Sequence, residues 1–143
     1  MKALIQRVSS AAVYVDDQCT GSIDSGLLVF LGVERGDTTE KADHLLKRVL
    51  GYRIFPDEQG RMNISLQAFG GGLLIVPQFT LAADTQRGMR PSFTPAAPPE
   101  LGQVLFDYYL KQAHNQHQPV ACGQFGANMQ VKLTNNGPVT FLL

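Results

Sequence analysis

Gly26-Leu27-Leu28-Val29-Phe30-Leu31-Gly32-Val33 is the stretch that decides the fold. It is continuous and apolar, with no alternating polar face to offer to water, so it reads as a strand covered on both faces. It is also too short to span a bilayer. Leu73-Leu74-Ile75-Val76, which follows Gly70-Gly71-Gly72, is a second buried strand of the same kind.

Upstream, Lys2 to Ser9 and Ala11 to Asp16 read as strands, with Val13 and Val15 alternating against smaller or polar neighbours. Asp17-Gln18 suits a turn, and Thr20 to Ile23 a short returning strand. Downstream, Asp37 begins a helix. Asp37 and Glu40 have capping-box spacing, and Ala42, Leu45, Leu46, Val49 and Leu50 form one apolar stripe. Arg53-Ile54-Phe55 leads into a turn at Pro56 to Gly60.

Ala82 to Pro99 reads as a loop that carries four prolines and the basic pair Arg87 and Arg90. A second helix is expected over about Glu100 to Gln116. Strands follow at Gln118 to Phe125, Met129 to Thr134 and Val139 to Leu143. The last two are expected to be joined by a hairpin turn at Asn135-Asn136-Gly137-Pro138. The order predicts an α+β fold: curled, barrel-like β-sheets with two main helices packed outside, residues 1–143 forming a single domain.

Composition narrows the function. The 143 residues include 12 basic and 12 acidic side chains, a formal net charge of zero. A broad electrostatic grip on nucleic acid normally needs a basic excess. Recognition of one RNA end through a few contacts does not. Cys19 and Cys122 form no metal-binding spacing, and the N-terminus has no apolar signal core, so a cytoplasmic protein with reduced thiols is expected. No cofactor, metal or membrane contact is called for.

Ordinary catalytic groups are scarce. His114 and His117 stand three apart near the end of the second helix, with no carboxylate or cysteine to complete a metal site, and read as solvated surface. No Gly-x-Ser-x-Gly elbow occurs. The glycines at 70–72 precede a strand rather than a helix, so they read as a flexible turn and not a phosphate cradle. Acyl chemistry here must use few titrating side chains.

Two short motifs remain. Pro77-Gln78-Phe79-Thr80 sits where a buried strand runs into a loop, and Asn136-Gly137-Pro138 precedes Val139-Thr140. Singly, each reads as a strand end and a turn. With Ala3-Leu4-Ile5-Gln6-Arg7-Val8, Leu50-Gly51-Tyr52-Arg53-Ile54-Phe55 and Arg87-Gly88-Met89-Arg90-Pro91-Ser92-Phe93, the whole chain resembles the D-aminoacyl-tRNA deacylase family, of the D-tyrosyl-tRNA deacylase type. The family motif usually reads Ser-Gln-Phe-Thr. Pro77 stands in place of the serine here, so a hydroxyl at that position is absent or dispensable.

The resemblance implies hydrolysis of the ester between a D-amino acid and the terminal adenosine of tRNA, and removal of glycine from mischarged tRNA. It implies a homodimer whose sites lie at the subunit interface, with no other protein partner evident. Gly137-Pro138 would be a cis pair inserted into the partner's site. Gln78, Phe79 and Thr80 would line the pocket beside the ester, and Phe125 and Met129 would lie near the adenosine. Arg87 and Arg90, with Lys2 and Arg7, are candidate phosphate contacts for the acceptor end.

An aminoacyl ester is already activated, so main-chain N–H groups at the oxyanion can suffice. With no base in sight, Thr80 is expected to position substrate rather than attack, and the ribose 2′-hydroxyl to assist water. Two alternatives stay open: an RNA-end binder without catalysis, and a hydrolase of small D-amino acid esters indifferent to tRNA.

Overall fold

The computed structural model describes all of residues 1–143. Strand β1 (Lys2–Val15) is the spine, followed by β2 (Gln18–Ile23) and β3 (Gly26–Gly32). Helix α1 (Thr39–Gly51) leads to a small hairpin of β4 (Arg53–Pro56) and β5 (Met62–Ser65). A one-turn helix α2 (Leu66–Phe69) precedes β6 (Gly72–Pro77), which runs into a 3-10 turn at Phe79–Ala82. Helix α3 (Pro99–Gln116), β7 (Val120–Cys122) and β8 (Gln130–Leu142) complete the chain.

The sheet runs β2-β1-β3-β6-β7, with β8 along the other edge of β1. β3 is antiparallel to β1 and parallel to β6, and β6 is parallel to β7. The sheet curls back on itself, bringing β2 to β7. A Cβ on Gly21 would lie 2.6 Å from the Cys122 carbonyl oxygen, so only glycine permits that approach.

Both faces of β3 and β6 are buried, as the opening stretch predicts. Leu27, Val29, Leu31, Leu73 and Ile75 face α1 and α3, while Leu28, Leu74 and Val76 face the inside of the curl. In β1, Ala3 and Ile5 join the helix side, but Val8, Ala11 and Val13 all face inward. The change of parity is produced by a bulge between Val8 and Ser10, since one extra residue flips every later side chain to the other face. That bulge lets one 14-residue strand replace the two expected.

Three local expectations are corrected. The N-cap of α1 is Thr38, whose hydroxyl accepts from the Lys41 N–H, not Asp37. Asp37 is buried instead beneath the Met1 ammonium (2.7 Å) and accepts from the Glu34 N–H (2.7 Å). His117 is not solvated. It caps α3, is buried, and its Nε2 meets the Gly71 carbonyl at 2.7 Å, fixing the glycine segment that opens β6. The segment after α3 is also less regular than expected, with only Val120–Cys122 in the ladder.

The turn expected at Pro56 to Gly60 joins β4 and β5 into a hairpin and is organised by Asp57. Its carboxylate accepts from the Gln59 and Arg61 N–H groups and from Asn63 Nδ2. No helix is long and apolar enough to cross a membrane. Cys19 and Cys122 are free thiols.

Candidate functional site

β6 carries Pro77-Gln78-Phe79-Thr80 to the carboxyl end of the parallel strands, where its ladder stops. The Gln78 N–H makes the last strand-like bond, to the Leu31 carbonyl at 2.8 Å. Alternation along β6 turns residue 77 toward β7, but β7 has already ended, the Gly123 N–H closing on Ile75 at 2.9 Å. Proline is tolerated there because no ladder partner waits for its missing N–H.

The chain then tightens into the 3-10 turn. Leu81 N–H bonds back to Gln78 (3.2 Å) and Ala83 N–H to Thr80 (3.1 Å). The first N–H groups of such a turn, those of Phe79 and Thr80, have no main-chain acceptor in the fold. The turn packs against Gly32, where a Cβ would come within 3.0 Å of Leu81. The Thr80 hydroxyl accepts from the side-chain amide of Gln78. No histidine or carboxylate bonds to it, so nothing is placed to take its proton.

Two loops flank the turn. On one side the Phe93 ring lies 5.1 Å from Phe79, and both are exposed, Phe79 to 59%. Arg87 and Arg90 are exposed on the same loop. On the other side, Met129 and Pro77 converge on Gly123: a Cβ there would lie 2.8 Å from the Met129 sulfur and 3.4 Å from Pro77 Cδ. Phe125, half-buried, packs on Phe106 of α3 at 5.9 Å. The structure thus places Gln78, Phe79 and Thr80 at one strand end with Met129 beside Pro77, while the contacts of Phe125 are with Gly102 and Phe106 of α3.

The second motif lies elsewhere. Asn136-Gly137-Pro138-Val139 is not the hairpin turn expected. β8 keeps its direction and pairs with β1 on both sides of it, from Thr140 against Gln6 to Asn135 against Val8. The segment is extruded as a wide bulge from one continuous strand. The Gly137-Pro138 peptide is cis, and Gly137 has φ +149°.

Side chains hold this bulge. Asn135 Oδ1 accepts from the Val139 N–H at 2.7 Å, and its Nδ2 donates to Thr140 Oγ1 at 3.0 Å. Arg7 Nε donates to the Asn136 carbonyl (2.8 Å) and Nη1 to the Ile54 carbonyl (2.6 Å). Arg7, expected to be free for a phosphate, is committed to the main chain. Lys2 is partly committed too, to Glu34 at 3.4 Å. Across three strand spacings and four residues, the bulge lies on the order of 20 Å along the sheet from Gln78. No strand pairing or hydrogen bond within one chain joins the two motifs.

A family model described as D-Tyr-tRNA(Tyr) deacylase matches residues 4–143. The chain belongs to that deacylase family. This family member is 63% identical over 143 residues to the D-aminoacyl-tRNA deacylase of Pseudomonas putida (strain W619), covering all of this chain and 99% of the relative. It is 62% identical to that of Thioalkalivibrio sulfidiphilus (strain HL-EbGR7), covering all of this chain and 96% of the relative. Its fold superposes on a solved structure described as c-Myc DNA Unwinding Element Binding Protein with a TM-score of 0.95 and 36% identity, covering 100% of this deacylase family member and 97% of that chain.

Sequence reasoning missed Asn135, which clamps the bulge, and Gly123, which seats Met129. A signal existed for the first: an asparagine two residues before Gly-Pro is placed to bond its own main chain beyond the turn. For Gly123 no local signal existed, since its need arises from packing against a residue six positions on.

Proposed function

We propose that the chain hydrolyses the ester joining a D-amino acid to the terminal adenosine of tRNA, releasing free D-amino acid and tRNA. One observation carries the mechanism: a strand end with two unpaired N–H groups, a hydroxyl held by an amide, and no base. That arrangement suits an ester already activated. The N–H groups of Phe79 and Thr80 stabilise the oxyanion, each worth about 2.7–4 kcal/mol in comparable sites. Thr80, held by Gln78, positions the substrate. The ribose 2′-hydroxyl of the substrate helps activate water. Phe125 and Met129 receive the adenosine.

Handedness is assigned to Gly137-Pro138. A stiff main-chain wall rejects an L side chain by clash, and a thousandfold preference needs about 4 kcal/mol. Glycine has no side chain to clash, so glycyl-tRNA is a second substrate. The distance between the motifs within one chain supports a homodimer in which each copy supplies the wall for the other's strand end. Arg87 and Arg90 contact acceptor-end phosphates. Because the substrate belongs to translation, the protein acts in the cytoplasm, with residues 1–143 as one domain.

The discriminating experiment measures hydrolysis of D-tyrosyl-tRNA, L-tyrosyl-tRNA and a small D-tyrosyl ester in parallel. Binding of tRNA without a shortened ester lifetime would contradict the reading, as would equal activity on the small ester. Full activity on tRNA ending in 2′-deoxyadenosine would remove the ribose hydroxyl from the mechanism.

A further inference from the structure

Met89 is the most exposed large apolar side chain of the molecule, at 103%. It stands between Arg87 and Arg90 at the tip of the loop that flanks the strand end. The loop is not loosely attached. Asp84 and Ser92 close its base through paired main-chain bonds of 2.8 and 3.0 Å, and Asp84 Oδ1 accepts from the Gln86 N–H. Gly88, with φ +69°, makes the tip. From Thr85 to Pro99 there is no acidic residue, although the chain as a whole is neutral. Arg90, Pro91, Ser92 and Phe93 line a hollow of about 560 Å³, and Phe93 touches Phe79 at the strand end.

Outward from the strand end the chain offers in turn Phe79, its ring partner Phe93, the hollow with Arg90, and then the exposed Met89, a strip that follows the loop. Exposed apolar faces interleaved with arginine are what unpaired nucleic acid binds, bases lying on the apolar groups and phosphates meeting the cations. From Phe93 to Met89 the main chain spans at most about 14 Å. Stacked nucleotides advance about 3.4 Å each. The strip can therefore underlie at most about four stacked nucleotides, a number that includes the few unpaired ones preceding the terminal adenosine of tRNA.

We infer that the Arg87-Gly88-Met89-Arg90 loop, with Phe93, is the track for the unpaired 3′ nucleotides upstream of the reacting adenosine, and that Met89 supports a nucleobase by apolar contact. The inference rests on the deacylase reading and extends it from the ester to the strand behind it. Met89 touches no reacting group, so it is a positioning residue that acts on binding.

The test compares wild type, Met89→Ala and Met89→Leu on three D-tyrosyl substrates: full tRNA, a short single-stranded oligonucleotide with the same 3′ end, and adenosine alone. In Met89→Ala, KM for tRNA and for the oligonucleotide should rise about fivefold or more with kcat unchanged. KM for D-tyrosyl-adenosine should not move, and leucine should restore tRNA binding. An unchanged KM for tRNA would overturn the track, and so would an equal rise on D-tyrosyl-adenosine. A rise on tRNA without one on the oligonucleotide would overturn the single-strand assignment. A change of oligomeric state in Met89→Ala would place Met89 at a subunit contact instead. A wild-type chain inert toward all three would overturn the underlying reading and the track with it.

Discussion

The Nε–H of Arg7 donates to the carbonyl of Asn136 at 2.8 Å, one residue before the cis Gly137-Pro138 peptide. The same guanidinium holds the Ile54 carbonyl, so it ties the bulge of β8 to the hairpin strand β4. Lysine cannot donate along two fixed directions from one planar group. Arg7→Lys should therefore loosen the bulge and lower the D-to-L rate ratio by about tenfold, equivalent to about 1.4 kcal/mol. An unchanged ratio would detach Arg7 from handedness.

Thr80→Ala tests whether the hydroxyl attacks. The Gln78 amide donates to it and no base receives its proton. Losing a positioning hydrogen bond costs about 1 kcal/mol, so single-turnover hydrolysis should fall by no more than about tenfold. Abolished hydrolysis with normal substrate binding would make Thr80 the nucleophile.

Two substitutions separate packing from polarity in the fold. A Cβ on Gly26 would lie 2.0 Å from the Gly72 carbonyl oxygen of the adjoining strand, so Gly26→Ala should cost about 3 kcal/mol or more, or prevent folding. Tyr109 is wholly buried among the helices and its hydroxyl has no partner, and burial pushes the phenol well above its ordinary value. Tyr109→Phe removes that stranded donor and should leave stability unchanged or raise it by about 1 kcal/mol. Denaturant unfolding reads both. A clear loss in Tyr109→Phe would mean the hydroxyl is satisfied.

The fold was largely legible, because β3 and β6 bury both faces and announce it in composition. The continuity of β1 and β8 was not. Both strands carry bulges, and a bulge breaks the period of two that marks a strand, so each appeared as two pieces. Gly-Pro consequently looked like a hairpin when it is an extrusion. Gln78, Phe79 and Thr80 share one strand end as their adjacency implies. The setting of Met129 beside Pro77 depends on Gly123 and is a property of packing alone. Arg7 and His117 looked like free surface groups, since nothing in a linear sequence shows which carbonyls the fold leaves for them.

Acid should probe the pairing of the chain start with the loop before α1. Partial burial pushes the Glu34 carboxyl up, but its bond to the Met1 ammonium and the nearby Lys2 outweigh this and hold it below its ordinary value. A carboxyl depressed in the folded state contributes stability above its unfolded pKa, about 4.3. That contribution is lost as pH falls through the lower folded value. Glu34→Gln should lose stability at neutral pH and show a shallower decline below about pH 4.3. An acid unfolding curve identical to wild type would contradict the pairing.

The central claim is that this chain removes D-amino acids from tRNA by main-chain chemistry while a Gly-Pro wall excludes L. Its most direct test is the ratio of single-turnover rates on D-tyrosyl-tRNA and L-tyrosyl-tRNA, for wild type and Pro138→Ala. Wild type should favour D by about a thousandfold, and Pro138→Ala should lose at least tenfold of that preference. Equal wild-type rates on the two hands, or an undiminished preference in Pro138→Ala at normal activity, would contradict the account.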